Sequence, residues 1–426
     1  MPTADASTAT RGGLIFVRLI AAAAVAGVLA GLSGVALTVV LHAVQHVSFG
    51  YTEDTFLVGV EHASSLRRVM ALLVGGVVVG LGWWLQRRWF RRQNVSVTHA
   101  LTLDKPKLPL LATTTDALLQ IVAVGAGASL GREGAPRQVG AALSGIIGGR
   151  LRLGPEDCRI LLACGAGAGL AAVYNVPMGG AVFALEVLLR DVSRRAALAP
   201  AIVSAAIATV VADSFLGPDE TYHFPLPSLT FGVCVVAVVL GICAVPIGIA
   251  FRWVMTLART HAPHGWRAAI LIPVAFTLLG VVSIWVPDLL GNGKALAQDA
   301  FSGSVSSAAA AGLVLLKPAA TALCLRGGAI GGLLTPAFAT GVALGVAAHA
   351  VPSASHVSEV GGLALFGAAA VLAVAQRAPW SAMALTIEFT GAPLGLLLPI
   401  ALAVAAAKAV EHGVRSLRMN GGHAPE

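Results

Sequence analysis

The chain of 426 residues is 57 % hydrophobic and only 11 % charged, with a mean hydropathy of +0.84 and a formal net charge of +8. These values exclude a soluble domain of this size and describe an all-α polytopic membrane protein, since the alternating segments of about ten residues that mark an outer-membrane barrel are missing. The positive balance is no nucleic-acid signal: the cations sit in connections between apolar segments, the bias that places basic loops on the cytoplasmic side.

Residues 1–12 are polar and are expected to form a disordered cytoplasmic N-terminus. The apolar stretch behind them is too long for a signal peptide and stays as the first span. Residues 14–47 read as one long helix with His42 and His46 on one face; no third ligand accompanies them, and neither metal nor cofactor is expected. The loop at 48–65 holds Glu53, Asp54 and Glu61 and no Lys or Arg, whereas Arg87, Arg88, Arg91, Arg92, Lys105 and Lys107 follow the span at 69–85. That contrast puts the N-terminus inside and the acidic loop outside.

Apolar pieces at 108–130, 136–148, 160–170 and 177–189 come next, most of them shorter than the roughly 20 residues a full span needs. Residues 198–212 lead to an acidic linker, 216–228, with Asp219 and Glu220, which divides a first membrane repeat (13–215) from a second (229–412). The second repeat opens with a long segment at 229–251 and a basic connection holding Arg252, Arg259 and Arg267. A span at 268–286 and broken segments at 305–316, 331–351, 360–375 and 379–390 follow, then 394–409 and a short cytoplasmic tail, 413–426. The five cysteines are scattered without metal-ligand spacing and read as small packing residues. Lys317 and Arg326 flank an apolar segment and are expected to snorkel, with Arg326 placed to draw anions toward Gly327 and Gly328.

The halves repeat. Gly165 through Pro177 matches Gly367 through Pro379, and each proline is followed nine residues later by a glutamate, Glu186 and Glu388. Gly131-Arg132-Glu133-Gly134-Ala135-Pro136 likewise parallels Gly331-Gly332-Leu333-Leu334-Thr335-Pro336. The second copy lies 202 residues after the first in one case and 200 in the other. Gly- and Pro-interrupted segments at matching places in two halves of opposite orientation point to a binding site at the membrane midplane.

Glu133 ends a nearly continuous apolar run, and a charge deep in a bilayer costs about 2.5–3.5 kcal/mol on insertion scales, which makes it a functional candidate. Gly134 and Pro136 suit the opening of a helix, and a helix that begins inside the membrane aims unpaired N–H groups and a partial positive charge at an anion. Arg132 adds a full positive charge beside it.

At these residues the chain resembles the CLC family of chloride channels and proton-coupled chloride antiporters. Gly131-Arg132-Glu133-Gly134 is similar to the family's G-R-E-G-P, with Ala135 in the proline's place, and Gly331 through Pro336 is similar to its G-x-F-x-P, with Leu334 for the phenylalanine. Asn175-Val176-Pro177 through Glu186 and Arg377-Ala378-Pro379 through Thr390 carry the rest of the likeness, which covers nearly the whole chain in order. The resemblance implies a homodimer in the lipid bilayer, each subunit an inverted-topology repeat of tilted, partly spanning helices with its own pore. It also implies that ionised Glu133 fills the outer anion site and leaves it when protonated.

Four family elements are altered. The region of the inner-site serine reads Arg92-Gln-Asn-Val-Ser-Val-Thr98, where Ser96, Asn94 or Thr98 would have to substitute; the C-terminal tyrosine is missing; Leu334 replaces the phenylalanine; and Val187 stands where antiporters carry a second proton-relay glutamate. The expected site is therefore Glu133 as gate, with Arg132, Gly134, Ala135, Pro136, Gly332, Leu333, Leu334 and Ser96 around the anion and Glu186 on a proton path. The expected activity is transport of small anions, chloride foremost, across the cell's inner membrane, as a channel or with protons, with both termini cytoplasmic. Alternatives are selectivity for another small anion such as fluoride or nitrate, or a membrane receptor or scaffold that kept the fold without the pathway. No nucleophile–base pair, metal triad or phosphate loop points to an enzyme.

Overall fold

The structure, a computed structural model, describes residues 4–52, 55–90, 95–217, 222, 227–355 and 357–420. Glu53, Asp54, Arg91, Arg92, Asn94, Asp219 and Glu220 lie outside the described residues. The first half of the chain supplies α1 (Ala4–Phe49), α2 (Phe56–His62), α3 (Ser65–Trp89), α4 (Val97–Ala100), α5 (Leu110–Gly125), α6 (Gly134–Arg150), α7 (Pro155–Tyr174), α8 (Pro177–Phe183) and α9 (Arg195–Leu216). The second half supplies α10 (Phe231–Thr260), α11 (Trp266–Val282), α12 (Lys294–Phe301), α13 (Ser307–Gly327), α14 (Leu334–Ala348), α15 (Pro352–Ser355), α16 (Val360–Gln376), α17 (Pro379–Thr390) and α18 (Leu397–Asn420). Among the described residues, seven helices are long and apolar enough to cross a membrane, while α5, α11, α14 and α16 are apolar but shorter.

The chain divides into two compact units that do not coincide with the repeats. One comprises Met1–Val40, Gln86–Leu118 and Glu133–Asp219; the other comprises Leu41–Leu85, Leu119–Arg132 and Glu220–Glu426. In the first, α7 is buried from Ile160 to Tyr174. Its Gly- and Ala-rich surface lets α6 come close, since small residues allow backbones to approach. A Cβ on Gly140 would overlap the Gly165 carbonyl oxygen, and one on Gly165 would lie 2.5 Å from the Gly140 carbonyl oxygen. In the second unit α16 is buried from Gly361 to Ala375. There a Cβ on Gly341 would lie 2.5 Å from the Gly367 carbonyl oxygen.

The repeat extends to single torsions. α7 ends on Asn175 (φ 54, ψ 52) and α16 on Arg377 (φ 57, ψ 31), both left-handed. The next residues, Val176 (φ −131, ψ 69) and Ala378 (φ −131, ψ 78), repeat one another as well. Pro177 and Pro379 then open α8 and α17, where a missing N–H costs nothing.

Several expected boundaries move. α1 is helical from Ala4, inside the segment expected to be disordered. Arg252 and Arg259 belong to the last turns of α10 rather than to a loop, and α18 carries Arg415 on a helix that runs to Asn420. Arg252 Nη1 donates to the Val374 carbonyl (2.6 Å) and to Glu411 Oε1 (3.2 Å), and Lys408 and Arg415 complete a cation shell around the buried Glu411. Lys317 does not snorkel. It is fully buried within α13, and its Nζ donates to the carbonyls of Leu289 (3.0 Å) and Gly291 (2.9 Å), so the helix continues past it to Gly327. An ammonium solvated by carbonyls needs no route to water.

Asp299, on α12, is pushed up to about 6 from 3.8 by burial and then by the charges of Asp288 and Glu61. Its ionised form is disfavoured in the fold, so that penalty is absent below 3.8 and grows as pH rises through about 6. Asp299→Asn is expected to unfold at a higher temperature than wild type at about pH 8, an advantage that narrows at about pH 5, as followed by tryptophan fluorescence in detergent.

Candidate functional site

Glu133 occupies the N-cap of α6 and is fully buried. The side chain of an N-cap ordinarily accepts from the first turn of its own helix. Here it makes no such cap. The carboxylate accepts instead from the Tyr174 hydroxyl, at 3.3 Å from Oε2, across to the end of α7. Arg137, one turn into α6, donates from Nε to the Glu133 carbonyl (2.9 Å) and stacks its guanidinium 5.0 Å above the Phe183 ring. The backbone of Glu133 is thus fixed by Arg137, and the Tyr174 hydroxyl reaches its acid group from the end of α7.

Gly134, Ala135 and Pro136 form the first turn of α6, and all three are buried. The orphan amides of such a turn carry the positive end of the helix dipole. In the other unit Leu333 is the N-cap of α14, with no side-chain cap, and Leu334, Thr335 and Pro336 make its first turn, also buried. Pro136 and Pro336 take the same third position. α14 is anchored from behind by an aromatic cluster: Phe338 stacks on Tyr222 at 5.3 Å and 9° and meets Phe389 edge-on at 5.2 Å. Tyr222, from the expected external linker, is fully buried, and its N–H donates to the Phe389 carbonyl (2.8 Å).

The loop before Glu133 is held by main chain. Gly131 and Gly332 form an antiparallel bridge, with Gly131 N donating to the Gly332 carbonyl (2.9 Å) and Gly332 N to the Gly131 carbonyl (2.8 Å). Gly291 N also donates to the carbonyl of Gly127 (2.9 Å), whose φ of +106 turns the chain after α5. Arg259 Nη2 reaches the Gly331 carbonyl (3.3 Å). Arg132 is half-buried in this loop, between the bridge and Glu133.

Two further expected residues lie on other elements of the first half of the chain. Ser96 is exposed at the N-cap of α4, where Oγ accepts the His99 amide (3.2 Å) and meets Thr98 Oγ1 (3.2 Å). Its neighbours Val95 and Val97 pack against a buried cluster that includes Ala141 and Ala142 of α6. Glu186 is half-buried on a π-helical turn, Ala184–Leu188, that extends α8. Tyr174 is the contact of Glu133 that sequence reasoning passed over: it lies 41 positions from Glu133, and its one signal is its place immediately before the Asn175 break.

Short buried helices that begin without side-chain caps, one of them at a buried carboxylate, define an ion-transport protein of the membrane. The chain belongs to the CLC family: the family described as voltage gated chloride channel matches residues 75–412. A chloride channel protein called ClcB-like from Ralstonia nicotianae is 30 % identical over 352 residues, covering 79 % of this chain and 80 % of the relative. The H(+)/Cl(−) exchange transporter ClcA of Vibrio parahaemolyticus is 31 % identical over 295 residues, 65 % of this chain and 62 % of that one. The fold is that of a slow cyanobacterial Cl−/H+ antiporter, with a TM-score of 0.77 at 22 % identity over 95 % of this chain and 99 % of the other. A CLC-type fluoride/proton antiporter superposes with a TM-score of 0.75, also at 22 % identity, over 92 % and 95 %.

Proposed function

We propose that the protein moves small anions, chloride foremost, across the cell's inner membrane as a homodimer with both termini cytoplasmic, and that Glu133 is its gate. The observation that carries the gate is the buried N-cap carboxylate that leaves its own helix uncapped. An anion facing the first turn of α6 meets the amides that Glu133 declines, with Arg132 alongside, and the first turn of α14, with Gly332, Leu333 and Leu334, offers the same chemistry on the second repeat. Ionised Glu133 is itself an anion and competes for that ground; protonation removes the competitor.

The Tyr174 hydroxyl donates to the Glu133 carboxylate and holds it in place. Tyr174→Phe is therefore expected to raise chloride efflux at neutral pH by about tenfold, the equivalent of one hydrogen bond to a charged group. A chloride electrode outside proteoliposomes reads this directly, and an unchanged efflux would leave the hydroxyl without a gating role. The same assay separates transport from a receptor or scaffold. A second reading, exchange of anions for protons by way of Glu186, is supported by the π-helical turn beneath that residue, a geometry common at functional sites. Proton uptake recorded alongside anion efflux decides between the two.

A further inference from the structure

Two cavities adjoin on the face formed by α10, α11 and α13. One, of about 490 Å³, is apolar and runs between Leu257 and Ala258 of α10 and Ala319, Ala322 and Leu323 of α13. The other, of about 650 Å³, lies under the turn from α10 to α11 and is lined by His261, His264, Trp266, Arg267 and Arg326 among others. His261 and Arg326 line both. No carboxylate lines either cavity, and neither Arg267 nor Arg326 makes an ion pair among the described residues. Both volumes fall in the range of ligand pockets, about 300–1,000 Å³.

A slot of hydrocarbon dimensions opening onto a patch of unneutralised cations is shaped for one molecule with an apolar tail and an anionic head. Snorkelling alone accounts for a cation at a helix end; it does not account for a second, continuous apolar cavity behind it. Trp266, 61 % exposed with Arg267 5.9 Å from its ring, marks the membrane–water boundary, where tryptophan is enriched. The turn belongs to a basic connection of the kind that faces the cytoplasmic leaflet, the one that carries anionic lipid, and basic pockets between helices on that side hold phospholipid headgroups. Arg259, just before this turn, already donates to the Gly331 carbonyl, so the turn is held against the segment that leads into α14.

We propose that the paired cavities bind one anionic phospholipid, its phosphate between Arg267 and Arg326 and an acyl chain between α10 and α13. The test is native mass spectrometry of the full chain in detergent with phosphatidylglycerol or phosphatidylcholine added, for wild type, the double variant Arg267→Gln/Arg326→Gln, and Ala319→Phe. Two arginines at a membrane surface give an expected preference for phosphatidylglycerol of about 30-fold in wild type. The double variant loses that preference, and Ala319→Phe, at an exposed position of the apolar slot, weakens retention of both lipids. Equal retention of the two lipids by wild type, or an undiminished preference in the double variant, overturns the site. Displacement of phosphatidylglycerol by inorganic phosphate, together with no effect of Ala319→Phe, overturns the lipid and leaves an anion patch. All three proteins are first matched for elution volume and helical circular dichroism, so that loss of binding is not loss of fold.

Discussion

Glu133→Gln and Glu133→Ala are expected to conduct anions with almost no dependence on pH. A single carboxylate that must take up a proton before an anion enters gives a flux that falls about tenfold per pH unit above its midpoint. Removing the acid removes that slope, because no titrating anion then competes for the ground before the first turn of α6. Where wild type couples anions to protons, the variants also stop moving protons while anion efflux persists. The two substitutions separate two parts of the argument. Gln keeps the volume of the side chain and deletes its charge, so it reports the electrostatic competition; Ala empties the space as well and is expected to give the larger flux. Chloride efflux from Glu133→Ala vesicles that kept the full pH slope would place the titrating group elsewhere in the chain.

Gly367→Val is expected to prevent the chain from reaching its native state. A Cβ there meets Gly345 N at 2.9 Å and Gly345 Cα at 3.2 Å, besides overlapping the Gly341 carbonyl oxygen. Every obstacle is main chain of α14, which no rotamer change can clear, so the cost stands at or above the upper end of the overpacking range, about 3 kcal/mol. That is a large share of a stability of about 5–15 kcal/mol. Gly165→Val in the other unit meets Ser144 as well as the Gly140 backbone and is expected to fail in the same way. Gly312→Ala is the control: nothing lies within 4 Å of that position in α13, and Ala for Gly inside a helix adds about 1 kcal/mol. Detergent extracts run on a sizing column give the readout, with the valine variants shifted to aggregate and the alanine variant eluting as wild type.

The long spans were legible because composition alone forces them: 20 or so apolar residues in a row have one stable state in a bilayer. The repeat was legible too, since the paired Gly–Pro–Glu spacing survives as paired torsions at Asn175 and Arg377. α2, α4 and α12 were not legible; helices of eight residues or fewer carry too few turns for an apolar period to show. Lys317 was misread for a different reason. Sequence places a lysine on a helix, but only the fold brings the Leu289 and Gly291 carbonyls to its ammonium. Of the site, the helix starts at Gly134 and Leu334 were marked by their prolines, whereas Tyr174 reaches Glu133 by a tertiary contact that leaves no trace in spacing.

The bridge between Gly131 and Gly332 is a clasp made wholly of peptide groups, and such a clasp is blind to sequence. Mutational drift at Leu130 or Leu333 touches neither bond, and two of the places where this chain departs from its family's motifs, Ala135 and Leu334, lie outside the paired peptide groups of Gly131 and Gly332. The one replacement the clasp forbids outright is proline, which would delete a donor at either end. A lineage can therefore exchange the lining of its conduit, and with it the ion it prefers, while the scaffold that presents the amides stays put.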